Sequence, residues 1–199
     1  MTMTLGAHEV LELHEVLNDA IHGLNTLRLY RPYAKDPQLQ AMMDQHMNAL
    51  NMEYNNLIQH ITHERASQVI SERHFAKNRG FHPTYGLRDP QTQTPASSTD
   101  DIDDMDVTTC LISCHKQTAG LKMKAALEMA NPTLRRAIQH GANMSADMAY
   151  QAFQYANHKG YYQVPTFKDK TQENFMQSYG SAPMTQMNMP GNTMGNTIM

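Results

Sequence analysis

Two short turns constrain this chain more than any other feature. Asp36-Pro37-Gln38-Leu39 and Asn131-Pro132-Thr133-Leu134 stand 95 residues apart. Each lies between two long stretches whose apolar residues recur at helical spacing. Asp and Asn are good N-caps, and proline at the first helical position gives up an N–H that has no partner there anyway. A chain written this way predicts two helical hairpins built alike.

The helical stretches follow from periodicity. Residues 6–31 carry Val10, Leu13, Leu17, Ile21, Leu24 and Leu27 on one face. From Pro37 the stripe is Leu39, Met43, Met47, Leu50, Leu57 and Ile61, and the helix is expected to run to about Arg79, with Gly80 as its stop. A third helix starts near Asp100–Asp104, where acids suit a helix N-terminus, and presents Val107, Leu111, Cys114, Thr118, Leu121 and Ala125. The fourth presents Leu134, Ile138, Gly141, Ser145, Met148, Ala152 and Ala156, and Gly160 ends it.

Between the pairs, residues 80–99 are polar, with two prolines in DPQTQTPASSTDD. That is long for a connection within a domain. Hairpin, crossover, hairpin is the connectivity of a ferritin-like four-helix bundle. The expected organisation is a first hairpin at 1–79, a crossover at 80–99, a second hairpin with an aromatic exit at 100–167, and a disordered tail at 168–199, rich in Met, Asn and Gly.

Composition excludes several classes. Net charge is -3, so no basic field argues for nucleic acid. No run of 18 apolar residues exists to span a membrane, and the start, MTMTLGAHEV, does not read as an export signal. Nucleophile triads and phosphate loops are missing, so no catalytic residue is assigned.

Di-iron bundles use Glu-x-x-His pairs facing inward, and this chain has none. His8, Glu12, Glu15, Asp19 and His22 form a stripe roughly opposite the apolar face, expected to meet water. His46 and Glu53 lie close to the apolar stripe of the second helix and are the remaining metal candidates. Their plainer reading is a polar contact inside the bundle. Cys110 and Cys114, the two cysteines, are poorly spaced for an unstrained mutual disulfide and fit a reducing compartment. With His115 they match no usual zinc spacing, and His115 points away from the Cys114 face. The 17 methionines include Met42, Met43 and Met47 at core spacing, without the regular Met-x-x-Met run a copper binder would show.

The segment from Cys110 to Phe167 resembles the coat F domain, the family of spore coat protein F from endospore-forming bacteria. The resemblance is carried by ANPTLR (Ala130–Arg135) and by the exit KGYYQVP (Lys159–Pro165). The N-terminal half shares only the repeat-like architecture. The resemblance implies a ferritin-like helical fold, no enzymatic reaction, no cofactor, and a place in the spore coat after synthesis in the mother-cell cytoplasm. Implied partners are other coat proteins and further copies of the chain, a dimer above all. Residue types and compartment add Lys168, Lys170, Gln172 and Gln177 as candidates for Lys–Gln cross-linking. The competing expectations are a degenerate metal oxidase or store using His46, Glu53 and first-helix acids, and a Met-rich module holding a hydrophobic partner or Cu(I).

Overall fold

The structure, a computed structural model, describes residues 4–62, 81–89 and 92–182. The described residues are all-α. Helices α1 (Ala7–Tyr30), α2 (Pro37–Thr62), α3 (Asp104–Glu128) and α4 (Pro132–Lys159) belong to one compact unit that ends at Pro165. Helix α5 (Asp169–Gln177) belongs to a separate unit that begins at Thr166. The expected continuation of α2 to Arg79 lies outside the described residues.

The two turns form as their sequences dictate, and each is completed from elsewhere in the chain. Asn131 accepts from the N–H groups of Thr133 and Leu134 at 2.9 and 3.1 Å, and Asp36 accepts from that of Gln38 at 2.8 Å. The N–H of Asn131 itself donates to Glu9 Oε1 at 2.7 Å, from the first turn of α1. The N–H of Asp36 donates to Asp104 Oδ2 at 3.1 Å, from the first turn of α3. Each turn is thus held by a carboxylate at the start of the other helix pair. Glu9 also reaches back to the Gly6 N–H at 2.7 Å, which explains a glutamate buried at the end of the core. These backbone N–H groups hold the Glu9 carboxyl below its ordinary range.

Helices α3 and α4 make the closest pairing, α1 lies against α3, and α2 lies against both α1 and α4. All seven residues expected on the α4 face are buried. The α1 face is rotated from expectation. Leu13, Val16, Ala20, Leu24 and Leu27 are buried, whereas Val10 is 51% and Ile21 42% exposed. The spacing 13, 16, 20, 24, 27 follows the 3.6-residue turn with small residues where neighbours come close.

The crossover carries no regular helix or strand at 81–89 or 92–98, and one 3-10 turn at Thr99–Asp101 leads toward α3. It docks on the exit from α4. Gly160 ends α4 in the left-handed conformation, at φ 80°, and turns the chain. Asn157, almost fully buried, accepts from the Thr84 N–H at 2.8 Å and donates to the carbonyls of Thr84 (3.1 Å) and Tyr162 (3.0 Å). Tyr85 and Val164 form an isolated parallel bridge, with the Gly86 N–H on the Val164 carbonyl at 2.8 Å. Tyr161 folds back against Tyr155, and Tyr162 against Phe153. The aromatic exit is therefore the seat of the crossover.

The disordered tail expected from residue 168 needs correction over Asp169–Gln177, which is helical. Asp169 sits in its first turn, and the Lys168 carbonyl accepts from Thr171 and Gln172. Phe167 and Phe175 stand 5.9 Å apart on this unit. The Met- and Asn-rich stretch from Pro183 lies outside the described residues.

Asn157→Ala leaves three backbone groups near Thr84 and Tyr162 without their partner. The expected loss is about 3 kcal/mol in urea denaturation, with faster tryptic cleavage at Arg88. Unchanged cleavage at Arg88 would show that Asn157 does not hold the crossover.

Candidate functional site: a polar layer inside the helical core

The interior of the main unit alternates in character along its helices. One apolar cluster gathers Leu24, Leu39, Met43, Val107, Leu111 and Met148. A second gathers Leu13, Val16, Leu57, Ala125, Leu134 and Ile138. Within the first cluster and between the two, α2, α3 and α4 turn polar side chains inward: His46, Glu53, His115, Lys122 and Ser145. All but Glu53 are fully buried, and the Glu53 side chain is 11% exposed.

Lys122 is the largest side chain in the interior with no exposed surface. A charged ammonium in that place must be paired. Its Nζ lies 2.7 Å from Glu53 Oε2 and donates to Ser145 Oγ at 3.4 Å. Gly141 makes the room. A Cβ at that position would overlap Glu53 Oε1 and come within 3.4 Å of Lys122 Cδ. Any side chain there would push the carboxylate off its partner. Glu53 Oε1 is buried and finds no hydrogen-bond partner among the described residues.

One level away, His46 Nδ1 lies 3.0 Å from His115 Nε2, and His46 Nε2 lies 2.9 Å from Gln151 Oε1. With the amide oxygen of Gln151 accepting, His46 carries its proton on Nε2 and accepts at Nδ1 from the His115 N–H. The rings meet edge to face at 4.8 Å. Burial pushes the His46 imidazolium down to about pKa 4, against a smaller opposing effect of Gln151. His115 is also pushed well down, by burial first and then by the charges of His46 and Lys122. Both rings are neutral at pH 7. Gln151 connects them to a surface cleft of about 430 Å³, lined also by Gln38, Gln45, Phe81, Gln154 and His158.

The two metal candidates from the sequence are thus both inward, and each is engaged separately. His46 meets His115 and Gln151, and Glu53 meets Lys122. Among the described residues no group of three or more His, Cys, Asp or Glu side chains is arranged to hold a metal ion. The first-helix stripe is mixed: His8, Glu15 and His22 are exposed, while Glu12 and Asp19 are half-buried. Glu12 lies 3.7 Å from Lys124.

The α3 face needs the largest correction. His115 was expected to point away from the buried face, yet His115 and Lys122 take the interior, while both cysteines are half-buried. The residues 111, 115, 118, 122 and 125 keep helical spacing, so the signal was present. Polar identity hid it, because only tertiary partners make a buried Lys or His tolerable.

Two outcomes follow from this layer. Lys122→Ala leaves Glu53 buried without its cation and is expected to cost about 3–5 kcal/mol in chemical denaturation. The double variant Lys122→Met/Glu53→Leu is expected within about 1 kcal/mol of the parent. Equal losses in both would refute the pair as the cause. For pH, the unfolded chain binds protons at His46 and His115 below about 6.5, where the folded chain excludes them. Stability is therefore full above that pH and falls as pH drops toward 4, by about 3 kcal/mol from His46 alone. Asp36, held down to about 2 first by Lys159, loses its contribution only at lower pH. Urea midpoints between about pH 7 and 4.5 that stay flat would contradict the neutral pair.

Residues 103–165 match the Coat F domain family, which covers α3, α4 and the exit to Pro165. The chain is similar to the spore coat protein F-like protein YhcQ of Bacillus subtilis (strain 168), at 29% identity over 189 residues. That alignment covers 92% of this chain and 86% of the relative. No solved structure matches the chain. The chain therefore carries a match to the Coat F domain on α3, α4 and their exit, and is similar along nearly its whole length to a spore coat protein F-like protein.

Proposed function

We propose that this protein is a structural component of the bacterial spore coat, assembling with further copies of itself and with other coat proteins. The observation that carries the reading is the similarity to a spore coat protein F-like protein along 92% of the chain. In this reading the main unit is a ferritin-like bundle: a hairpin at 1–79, a crossover at 80–99 and a second hairpin at 100–167. The reciprocal carboxylate caps at Asn131 and Asp36 support two hairpins built alike. The segment 168–199 serves assembly. Exposed Phe167, Phe175, Met176 and Tyr179 support that role, because large apolar side chains left in water favour contact with a partner. Exposed Leu11, Leu29 and Leu127 offer the main unit surfaces for a dimer.

The protein acts without catalysis in this reading. The cation inside its polar layer is the ammonium of its own Lys122, which supports a stabilising use of the carboxylate at Glu53. Synthesis takes place in the mother-cell cytoplasm, followed by deposition on the forming spore. Among the described residues no helix is long and apolar enough to cross a membrane.

The test follows a tagged copy through sporulation and then fractionates the spores. The expected result is late appearance and extraction with the coat. A copy that is abundant and soluble in growing cells, and absent from coat extracts, would defeat the proposal.

A further inference from the structure

Cys110 and Cys114 stand on successive turns of α3, and the polar layer does not use them. Their sulfurs lie 3.8 Å apart, in hydrogen-bond contact, and both residues are partly exposed. On the α1 side Tyr30 reaches the Cys110 sulfur, and Asp19 acts on Cys114. Asp19 keeps one buried carboxylate oxygen, Oδ2, without a hydrogen-bond partner among the described residues.

Three uses of a thiol pair can be compared. A mutual disulfide needs Cβ atoms closer together than successive helical turns hold them. The thiols therefore stay near each other without joining. A nucleophilic thiolate wants a cationic neighbour. The groups acting on Cys114 are the Cys110 thiol and the Asp19 carboxylate, and neither is a cation. Metal binding remains, and the number of donors selects the metal. Zinc sites in proteins take four ligands, or three and a water. Among the described residues no third His, Cys, Asp or Glu completes such a set here. A soft monovalent d10 ion favours thiolate sulfur and is satisfied by two donors.

We propose that Cys110 and Cys114 form a two-thiolate site for one Cu(I) ion. Two Cu–S bonds form, the two S–H bonds break, and both protons pass to water. Copper stays in the +1 state and no electron moves. Small rotations about the two χ1 angles open the sulfurs around the ion. The shared hydrogen bond helps. It already holds the two sulfurs side by side, 3.8 Å apart, on one face of α3.

The experiment titrates Cu(I) alone, without oxygen, into the reduced full-length protein against a competing Cu(I) chelator. The expected result is one Cu(I) per chain, with an ultraviolet thiolate-to-copper absorption and two sulfur neighbours by X-ray absorption. Cys110→Ser and Cys114→Ser should each abolish retention against the chelator while helicity is unchanged. Asp19→Asn should keep the stoichiometry at one, since two sulfurs suffice. Three results would overturn the proposal: no uptake by the parent, full uptake by the double Cys→Ser variant through methionines, or displacement of copper by equimolar Zn(II). The spectroscopic signature on the parent protein decides the question even where a variant fails to fold.

Discussion

The Lys122–Glu53 pair sets terms that much of the main unit has to meet. A buried ammonium is tolerable only with its carboxylate 2.7 Å away, and that carboxylate fits only because Gly141 carries no side chain. Three helices are thereby fixed in mutual register by one contact. Ser145, one turn beyond Gly141 on α4, takes another ammonium hydrogen, which ties the same level of α4 to α3. Buried polar groups used this way trade stability for a single register. The neutral His46–His115 contact adds a second register mark on the same pair of helices.

At the ends of the helices, the same economy appears in the caps. Glu9 serves the start of α1 and the turn before α4, and Asp104 serves the turn before α2 from the first turn of α3. Tyr155 and Lys159, late in α4, converge on the carboxylate of Asp36. The junctions that begin α2 and α4 are therefore closed by residues distant in sequence. Asn157 extends this to the crossover, acting as a strand-like partner for the Thr84 backbone. The conspicuous Gly-Tyr-Tyr exit makes sense in this setting. Gly160 aims the chain, the tyrosines cover the end of α4, and Val164 pairs with the connection that arrives there.

Much of the fold was legible in advance. The four main helices, both proline turns, the Gly160 cap and the whole α4 face follow from local spacing. The errors are also local in kind. On α1, Val16 and Ala20 displace Val10 and Ile21 from the interior. On α3, Cys114 gives way to His115 and Lys122. Reading apolar identity as burial fails wherever a polar residue has a buried partner. Helix α5 went unread because it is only 9 residues long and carries just two large apolar side chains, Phe175 and Met176.

The sequence by itself determined where α1, α3 and α4 begin and end and where α2 begins, because caps, prolines and period act over a few residues. It also placed two equal turns 95 residues apart and named His46 and Glu53 as inward polar groups. Only the tertiary structure decided what those two groups meet. Glu53 finds Lys122, 69 residues away, and His46 finds His115 and Gln151, 69 and 105 residues away. Partners so remote leave no local periodic trace. Their energy comes from a low-dielectric interior that exists only after the helices have met.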